Sequence, residues 1–302
     1  MKEQKAQVSD IEYQISASKV LFIVGPTASG KSALAMEVAR KYSGEIICAD
    51  SQTVRRGLDI GTAKPTKADQ AEIPHYLLDV VDPYERFTVA DFQKLAGQAI
   101  DDIQARGKLP IVVGGTGLYI DAVAYNFALR TNADMNERQK LEKKTVVELK
   151  EMVKSRGLAL PENEQNPRHL IRTIESDGQV SGKDTLRRGA VLIGLNPDKN
   201  IHESSIRERI DTMFSDGFLR EMETVLSTYG DPPANFDAIA YRIAFDHRRA
   251  PGDYDEKTVK ELFAIADRQY AKRQRAWFKR NRDIAWFEQP KQALKYIEKV
   301  LE

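Results

Sequence analysis

Apolar residues arrive along this chain in short unbroken bursts, separated by longer stretches with a helical rhythm. Val20-Leu21-Phe22-Ile23-Val24 is the first burst. An all-apolar, β-branched run of that length predicts a strand buried on both faces. Gly44-Glu45-Ile46-Ile47-Cys48-Ala49-Asp50-Ser51 predicts a second strand with a polar tip, and His75-Tyr76-Leu77-Leu78-Asp79-Val80 is a third candidate. Leu109-Pro110-Ile111-Val112-Val113 and Ala190-Val191-Leu192-Ile193-Gly194-Leu195 predict two more. Helical patterns lie between them. One covers Ala33 to Ala39. Another is capped by Thr88, runs through Phe92, Leu95, Ala99, Ile100 and Ile103, and stops at Gly107. A third opens at Leu118, after Gly114-Gly115-Thr116-Gly117. Strand–helix alternation of this kind predicts an α/β fold, a parallel sheet flanked by helices.

The rhythm changes from about Arg130 to Gly189. Charged helix-compatible segments dominate there, Glu137 to Gly157 and Pro167 to Glu175, before the strand pattern resumes at Ala190. The shift predicts a small helical domain, residues 130–189, inserted into a core made of 18–129 and 190–302. Residues 1–17 read as a loosely ordered lead-in. The remainder reads as mostly helical. Ile206, Ile210, Met213 and Phe214 form one stripe stopped by Gly217, and Met222, Val225 and Leu226 follow. A last long helix runs from about Glu256 past Arg282. No internal repeat and no low-complexity tract is visible.

Composition narrows the class. With 302 residues, 41% hydrophobic, the chain is long enough for one large α/β domain plus a smaller unit. Lys and Arg number 46 against 45 Asp and Glu, a formal net charge of +1, so any polyanion must be bound by local patches. Cys48 is the only cysteine. It excludes an intramolecular disulfide and a Cys-rich zinc site, and in its apolar run it reads as a core thiol. His75, His169, His202 and His247 show no metal-ligand spacing and read as structural. The polar N-terminus has no apolar signal region, and no run approaches the ~20 apolar residues of a membrane span. The expectation is a soluble, cytoplasmic monomer without membrane contact.

The candidate chemistry starts at Gly25, Pro26, Thr27, Ala28, Ser29, Gly30, Lys31 and Ser32. A G-x-x-x-x-G-K-[ST] loop between a strand and a helix is a phosphate cradle. Backbone N–H groups and the helix dipole face an anion, the lysine adds mobile charge, and Ser32 offers a hydroxyl to Mg²⁺. The bland reading is a glycine-rich turn with a chance Lys-Ser. In a parallel sheet ligands sit at the carboxyl ends of the strands, so topology places Asp50 beside the cradle. Arg55 to Pro65, punctuated by glycine and proline, reads as a loop over the site, and Gly114 to Gly117 faces the same crevice. Arg268, Tyr270, Lys272, Arg273, Arg275, Lys279, Arg280 and Arg282 share one stretch with Trp277 and Phe278 and no acidic residue. Such a helix suits a phosphate backbone; a solvated face with Trp277 in the core is the alternative. Arg138, Arg168 and Arg172 form a second basic group in the insertion.

Six segments in this order carry a resemblance: GPTASGKS at 25–32, Asp50-Ser51, DIGTAKP at 59–65, GGTGLY at 114–119, Asn166-Pro167-Arg168, and Tyr270-Ala271-Lys272-Arg273-Gln274. From about Val20 to Phe287 the chain resembles the tRNA dimethylallyltransferase (tRNA isopentenyltransferase) family. The resemblance implies transfer of a dimethylallyl group from dimethylallyl diphosphate to the exocyclic amine of the adenosine 3′ to the anticodon. It implies Gly25 to Ser32 and Arg209 on the diphosphate, with Mg²⁺ on Ser32. Asp50 becomes the base, aided by Lys31 and Thr116. Asp50, Ser51, Gln52, Thr53, Thr116, Arg138, Arg168, His169, Arg172, Tyr241, Lys272 and Arg273 become tRNA contacts, the insertion gripping the anticodon stem-loop. The chain departs from the family pattern at Thr53, Arg55, His169, Ser205, Ala240 and Ala276.

The chemistry fits these assignments. An aryl amine is a weak nucleophile, so a carboxylate should take its proton as the C–N bond forms. Loop N–H groups, Lys31 and Mg²⁺ meet the charge developing on the leaving diphosphate, and Arg209 adds a bidentate contact. The other role open to Asp50 is to bond the ligands around Mg²⁺ without touching the ion itself. Two further functions stay in view. A phosphate-loop small-molecule kinase lacks support in the fourth strand, which ends in glycines with no Walker-B acid. An ATP-dependent RNA-binding module without transfer chemistry is the third.

Overall fold

The computed structural model describes residues 19–127, 135–178, 185–234, 236–249 and 255–302. The expected lead-in, residues 1–17, lies outside them. The strands are β1 (Val20–Val24), β2 (Gly44–Cys48), β3 (His75–Tyr76), β4 (Leu109–Gly114), β5 (Ala190–Leu195) and β6 (Ile284–Phe287). The helices are α1 (Lys31–Tyr42), α2 (Lys67–Glu72), α3 (Val89–Ala105), α4 (Gly117–Ala124), α5 (Met135–Glu142), α6 (Val146–Ser155), α7 (Pro167–Glu175), α8 (Lys199–Ser215), α9 (Phe218–Tyr229), α10 (Ile239–Arg249), α11 (Glu256–Phe278) and α12 (Pro290–Leu301). Two compact units result, Met1–Ala124 with Leu186–Glu302, and Tyr125–Thr185; the expected boundaries stood at 130 and 189.

All six strands form one parallel sheet, ordered β3-β2-β4-β1-β5-β6. β4 enters between β1 and β2, so the carboxyl ends of these three strands lie side by side. Strand alternation divides the core. Leu21, Ile23, Ile46, Cys48, Ile111, Val113, Ile193 and Leu195 point to one face, where α1 and α12 cover them with Leu34, Val38, Ile297 and Leu301. On the other side α3 and α4 pack together, with Phe92 and Tyr119 stacked at 4.2 Å. A second apolar cluster joins Ile206 and Ile210 of α8, Phe218 and Met222 of α9, Tyr241 of α10 and Phe263 of α11 to Leu58.

Local chemistry explains the element ends. Thr88 caps α3 in a reciprocal box with Asp91. The helix-compatible segment Glu137–Gly157 is divided between α5 and α6, because Thr145 with Glu148 starts a new helix. β3 is far shorter than expected: Leu77 and Asp79 hold φ of 64° and 55°, which no strand can pass through. α11 stops at Phe278 instead of passing Arg282, and the chain then supplies β6 and α12. In the second unit Leu149, Val153, Leu170, Ile171 and Ile174 form its own apolar core. No described helix is long and apolar enough to cross a membrane.

Glu45 is the charged anomaly of β2. Its side chain is 1% exposed and accepts from Arg106 at 2.6 Å, Lys108 at 2.6 Å and Tyr76 at 2.7 Å. The Arg106 bonds hold its carboxyl down at about 2. A depressed acid stabilises the fold above its unfolded pKa and loses that contribution as pH falls toward its folded one. Glu45→Gln should therefore cost about 2 kcal/mol near pH 7. The deficit should shrink between about pH 4.5 and 2, read as urea midpoints of both proteins. A deficit that stays constant across this range contradicts the assignment.

Candidate active site

The cradle follows directly from β1. Gly25 must lie flat against β5, since a Cβ there would stand 2.6 Å from the Leu195 carbonyl oxygen. Ala28 and Gly30 take left-handed conformations, φ 57° and 85°, which wind the loop into α1. No side chain caps α1, and no acid stands in its first turn. Its first N–H groups therefore remain available to an anion. Thr27 to Ser32 line a cavity of about 450 Å³. Gly25 and Pro26 stand behind it; the Pro26 carbonyl accepts from Lys31 Nζ at 3.1 Å.

Lys31 is a cation short of an anion. Burial pushes its ammonium down to about 8, the Asp50 carboxylate opposes that shift, and the Arg209 guanidinium adds to it. Ser32 is exposed on the same cavity wall.

Asp50 stands two residues beyond β2, whose end is stitched to β4. The Ala49 N–H donates to the Val113 carbonyl at 2.7 Å, and the Thr116 N–H to the Ala49 carbonyl at 3.3 Å. Asp50 Oδ1 accepts from the Gln52 N–H at 2.8 Å, which fixes the carboxylate through its own turn. A second cavity, about 240 Å³, opens beside the first and is lined by Ser51, Gln52, Asp237, Tyr270 and Arg273. Asp50, Thr27, Thr62 and Arg209 line both. Asp50 and Arg209 thus stand where an anion pocket meets a pocket walled by α11. Arg209, on α8, pairs with Asp267 of α11, and its Nε is buried without a partner.

The loop over the site is built, not loose. Glu221 accepts from the N–H groups of Asp59, Ile60 and Gly61 at 2.9–3.2 Å. Lys64, whose side chain is 1% exposed, donates to Asp79 at 2.6 Å and to the Arg55 carbonyl at 2.8 Å. Tyr241, expected on RNA, is fully buried (0% exposed) and its hydroxyl donates to Glu221. It props the loop by accepting from the Gly61 N–H at 3.2 Å, and it also stands on the wall of the second cavity. Thr116, expected to be catalytic, stands beside the Asp50 turn. It lines neither cavity; its hydroxyl oxygen accepts from the Ser51 N–H at 3.0 Å, so it positions the Asp50 turn. Thr53 is buried on the first cavity.

The basic helix α11 has two faces. Lys272 and Arg273 are exposed, and Arg273 lies over the Tyr270 ring at 5.7 Å. Arg268 is bound to Glu203 at 2.6 Å. Arg275 turns inward to Asn196 and His202, both at 2.8 Å. Trp277 donates to Asp121 at 3.0 Å while its ring occupies the space a Cβ at Gly117 would need. In the second unit Arg138 is engaged by Glu142 at 2.9 Å and Glu175 at 3.1 Å. It ties α5 to α7 and does not stand free for a polyanion. Arg168, His169 and Arg172 share the exposed face of α7, opposite buried Leu170, Ile171 and Ile174. Cys48 is a buried core thiol, pushed up to about 12 by burial.

The sequence reading missed two site residues. Gln274 joins the loop to the second glycine turn: Oε1 accepts from the Thr27 N–H at 2.8 Å, and Nε2 donates to the Gly115 carbonyl at 3.0 Å. His202 meets the Thr27 carbonyl at 2.7 Å. Gly115 itself is the available signal for Gln274, since a Cβ there would stand 2.0 Å from Nε2.

Known proteins are similar to this chain in sequence and fold. A tRNA dimethylallyltransferase from Pediococcus pentosaceus is 38% identical, covering 93% of this chain and 96% of its own. The crystal structure of a Bacillus halodurans tRNA isopentenylpyrophosphate transferase is 32% identical, with a TM-score of 0.70, over 94% of this chain and 97% of its own. The Staphylococcus epidermidis tRNA delta(2)-isopentenylpyrophosphate transferase structure is 30% identical, TM-score 0.68, over 93% and 98%. The profile of the IPP transferase family matches residues 53–281. With a match over most of its length, the chain belongs to the IPP transferase family.

Proposed function

We propose that this protein transfers a dimethylallyl group from dimethylallyl diphosphate to the exocyclic amine of the adenosine on the 3′ side of the anticodon in tRNA. One observation carries the reading: Asp50 and Arg209 line both the phosphate-loop cavity and the cavity walled by Tyr270 and Arg273. Diphosphate belongs in the first and adenine in the second, so the reacting atoms meet beside the carboxylate. A kinase has no comparable support, because β4 ends in Gly114 with no acidic tip.

In the reaction the C–O bond to diphosphate breaks and its electron pair leaves with the phosphate oxygen. The adenine nitrogen supplies the pair for the new C–N bond. Its proton passes to Asp50, within whose reach the amine must lie. Lys31, Arg209 and the loop N–H groups take the charge appearing on the leaving group. The adenosine leaves its stack to enter the pocket, at a cost of about a few kcal/mol that phosphate contacts and stacking offset. Lys272 and Arg273 on α11, and Arg168, His169 and Arg172 on α7, are the exposed groups suited to the RNA backbone.

Mg²⁺ fits this site in one way. No described cluster of three His, Cys, Asp or Glu side chains exists to hold it. The Ser32 side chain is exposed on the cradle wall. Ser32 and the diphosphate's own oxygens would hold the ion, which supplies charge neutralisation of the leaving group.

Transfer of label from radiolabelled dimethylallyl diphosphate into tRNA tests the reading; phosphate release from ATP with no labelled tRNA contradicts it. Asp50→Asn should lower kcat by about 10²–10⁴-fold while diphosphate affinity stays within about threefold. Unchanged turnover removes Asp50 as the base. Lys272→Ala and Arg273→Ala should each reduce the slope of log K against log salt for RNA binding by about 1. An unaltered slope makes that face plain solvated surface.

A further inference from the structure

Both backbone polar groups of Thr27 are taken by buried side chains from outside the phosphate loop. Its N–H donates to Gln274 Oε1 at 2.8 Å, and its carbonyl meets His202 Nε2 at 2.7 Å. Gln274 and His202 are each 4% exposed. Arg275 donates to His202 Nδ1 at 2.8 Å. A guanidinium can only donate, so Nδ1 is bare and Nε2 carries the hydrogen given to Thr27. Burial lowers the imidazole below its usual range, the bond to the Thr27 carbonyl opposes that shift, and the cations of Arg275 and Lys31 add to it. Arg275 is itself held by Asn196 at 2.8 Å.

The residue after Thr27 explains what this grip resists. Ala28 holds φ 57°. A residue with a Cβ keeps a left-handed backbone only where its surroundings over-determine it. The bonds to Thr27 stand immediately before that turn, and Ala28 to Ser32 beyond it line the anion cavity.

We infer that His202, oriented by Arg275, and Gln274 are positioning residues of the phosphate loop: they clamp Thr27 so that the strained turn at Ala28 stays wound around the diphosphate. The inference rests on the reading of this loop as the diphosphate cradle. Neither side chain touches the reacting atoms. Gln274 also reaches Gly115, so the clamp joins the cradle to the turn that orients Asp50 through Thr116 and Ser51.

The test is calorimetric binding of inorganic diphosphate with Mg²⁺, without RNA, to the full chain and its variants. His202→Ala and Gln274→Ala should weaken binding about tenfold, and His202→Gln, whose amide can still donate, should stay within about threefold of the parent. In steady-state assays His202→Ala should raise KM for dimethylallyl diphosphate about tenfold and leave KM for the RNA within about twofold. Arg275→Met keeps the imidazole but frees it; if His202→Ala does not fold, this variant carries the test, with an expected loss of about threefold. Parent-level affinity in the folded variants overturns the clamp, and so does a KM for RNA that rises in step with that for the diphosphate. Failure of the parent protein to bind diphosphate overturns the reading of the loop itself, before any variant is compared.

Discussion

Gln274 stands between the two glycine-rich turns of the site, and each end of its amide is used. It is buried, so both ends must be satisfied inside the protein. The Thr27 N–H and the Gly115 carbonyl stand on either side of it and satisfy both. That requirement fixes the approach of α11 to the sheet. Trp277, three residues on, then lies over Gly117 with its N–H on Asp121. Two glycines that look like flexible turn residues in the sequence are there because a helix occupies the space of their side chains.

Charge in the site follows from that frame. Lys31 and Arg209 share one cavity with the carboxylate of Asp50. Burial depresses the Lys31 ammonium, so an anion entering the loop relieves a cost the protein carries without it. Asp267 pairs with Arg209 at the wall that the two cavities share. On the second cavity, Arg273 and Tyr270 present a cation and a ring together, a surface suited to a base and its phosphate.

Much of this was legible in the amino-acid order. The buried strands, the phosphate loop and Asp50 at the tip of β2 all follow from short-range pattern plus the rule that ligands gather at strand carboxyl ends. β3 was overdrawn because Leu77 and Asp79 carry positive φ that apolar pattern does not reveal. β6 is four residues long and was hidden behind the basic run. Composition could not separate Lys272 and Arg273, facing outward, from Arg268 and Arg275, bound to neighbours from α8 and the β5 end. His202 and Gln274 were unreadable for a different reason: each bonds the backbone of Thr27, 175 and 247 positions away. Backbone partners leave no complementary residue type for a reader to notice. The burial of Tyr241 and the hydrogen bonds of Tyr241 and Thr116 are properties of the fold alone and leave no mark on the local sequence.

The central claim is that the carboxylate of Asp50 lies between a prenyl diphosphate in one cavity and an adenine in the other. A crystal structure with an unreactive thio-analogue of dimethylallyl diphosphate and an anticodon stem-loop RNA measures this directly. The account predicts the diphosphate on Thr27 to Ser32, with prenyl C1 about 3–3.5 Å from the adenine amine. It also predicts an Asp50 oxygen within about 2.6–3.2 Å of that amine. An adenine bound outside the cavity of Tyr270 and Arg273, or an Asp50 turned away from its amine, would contradict it.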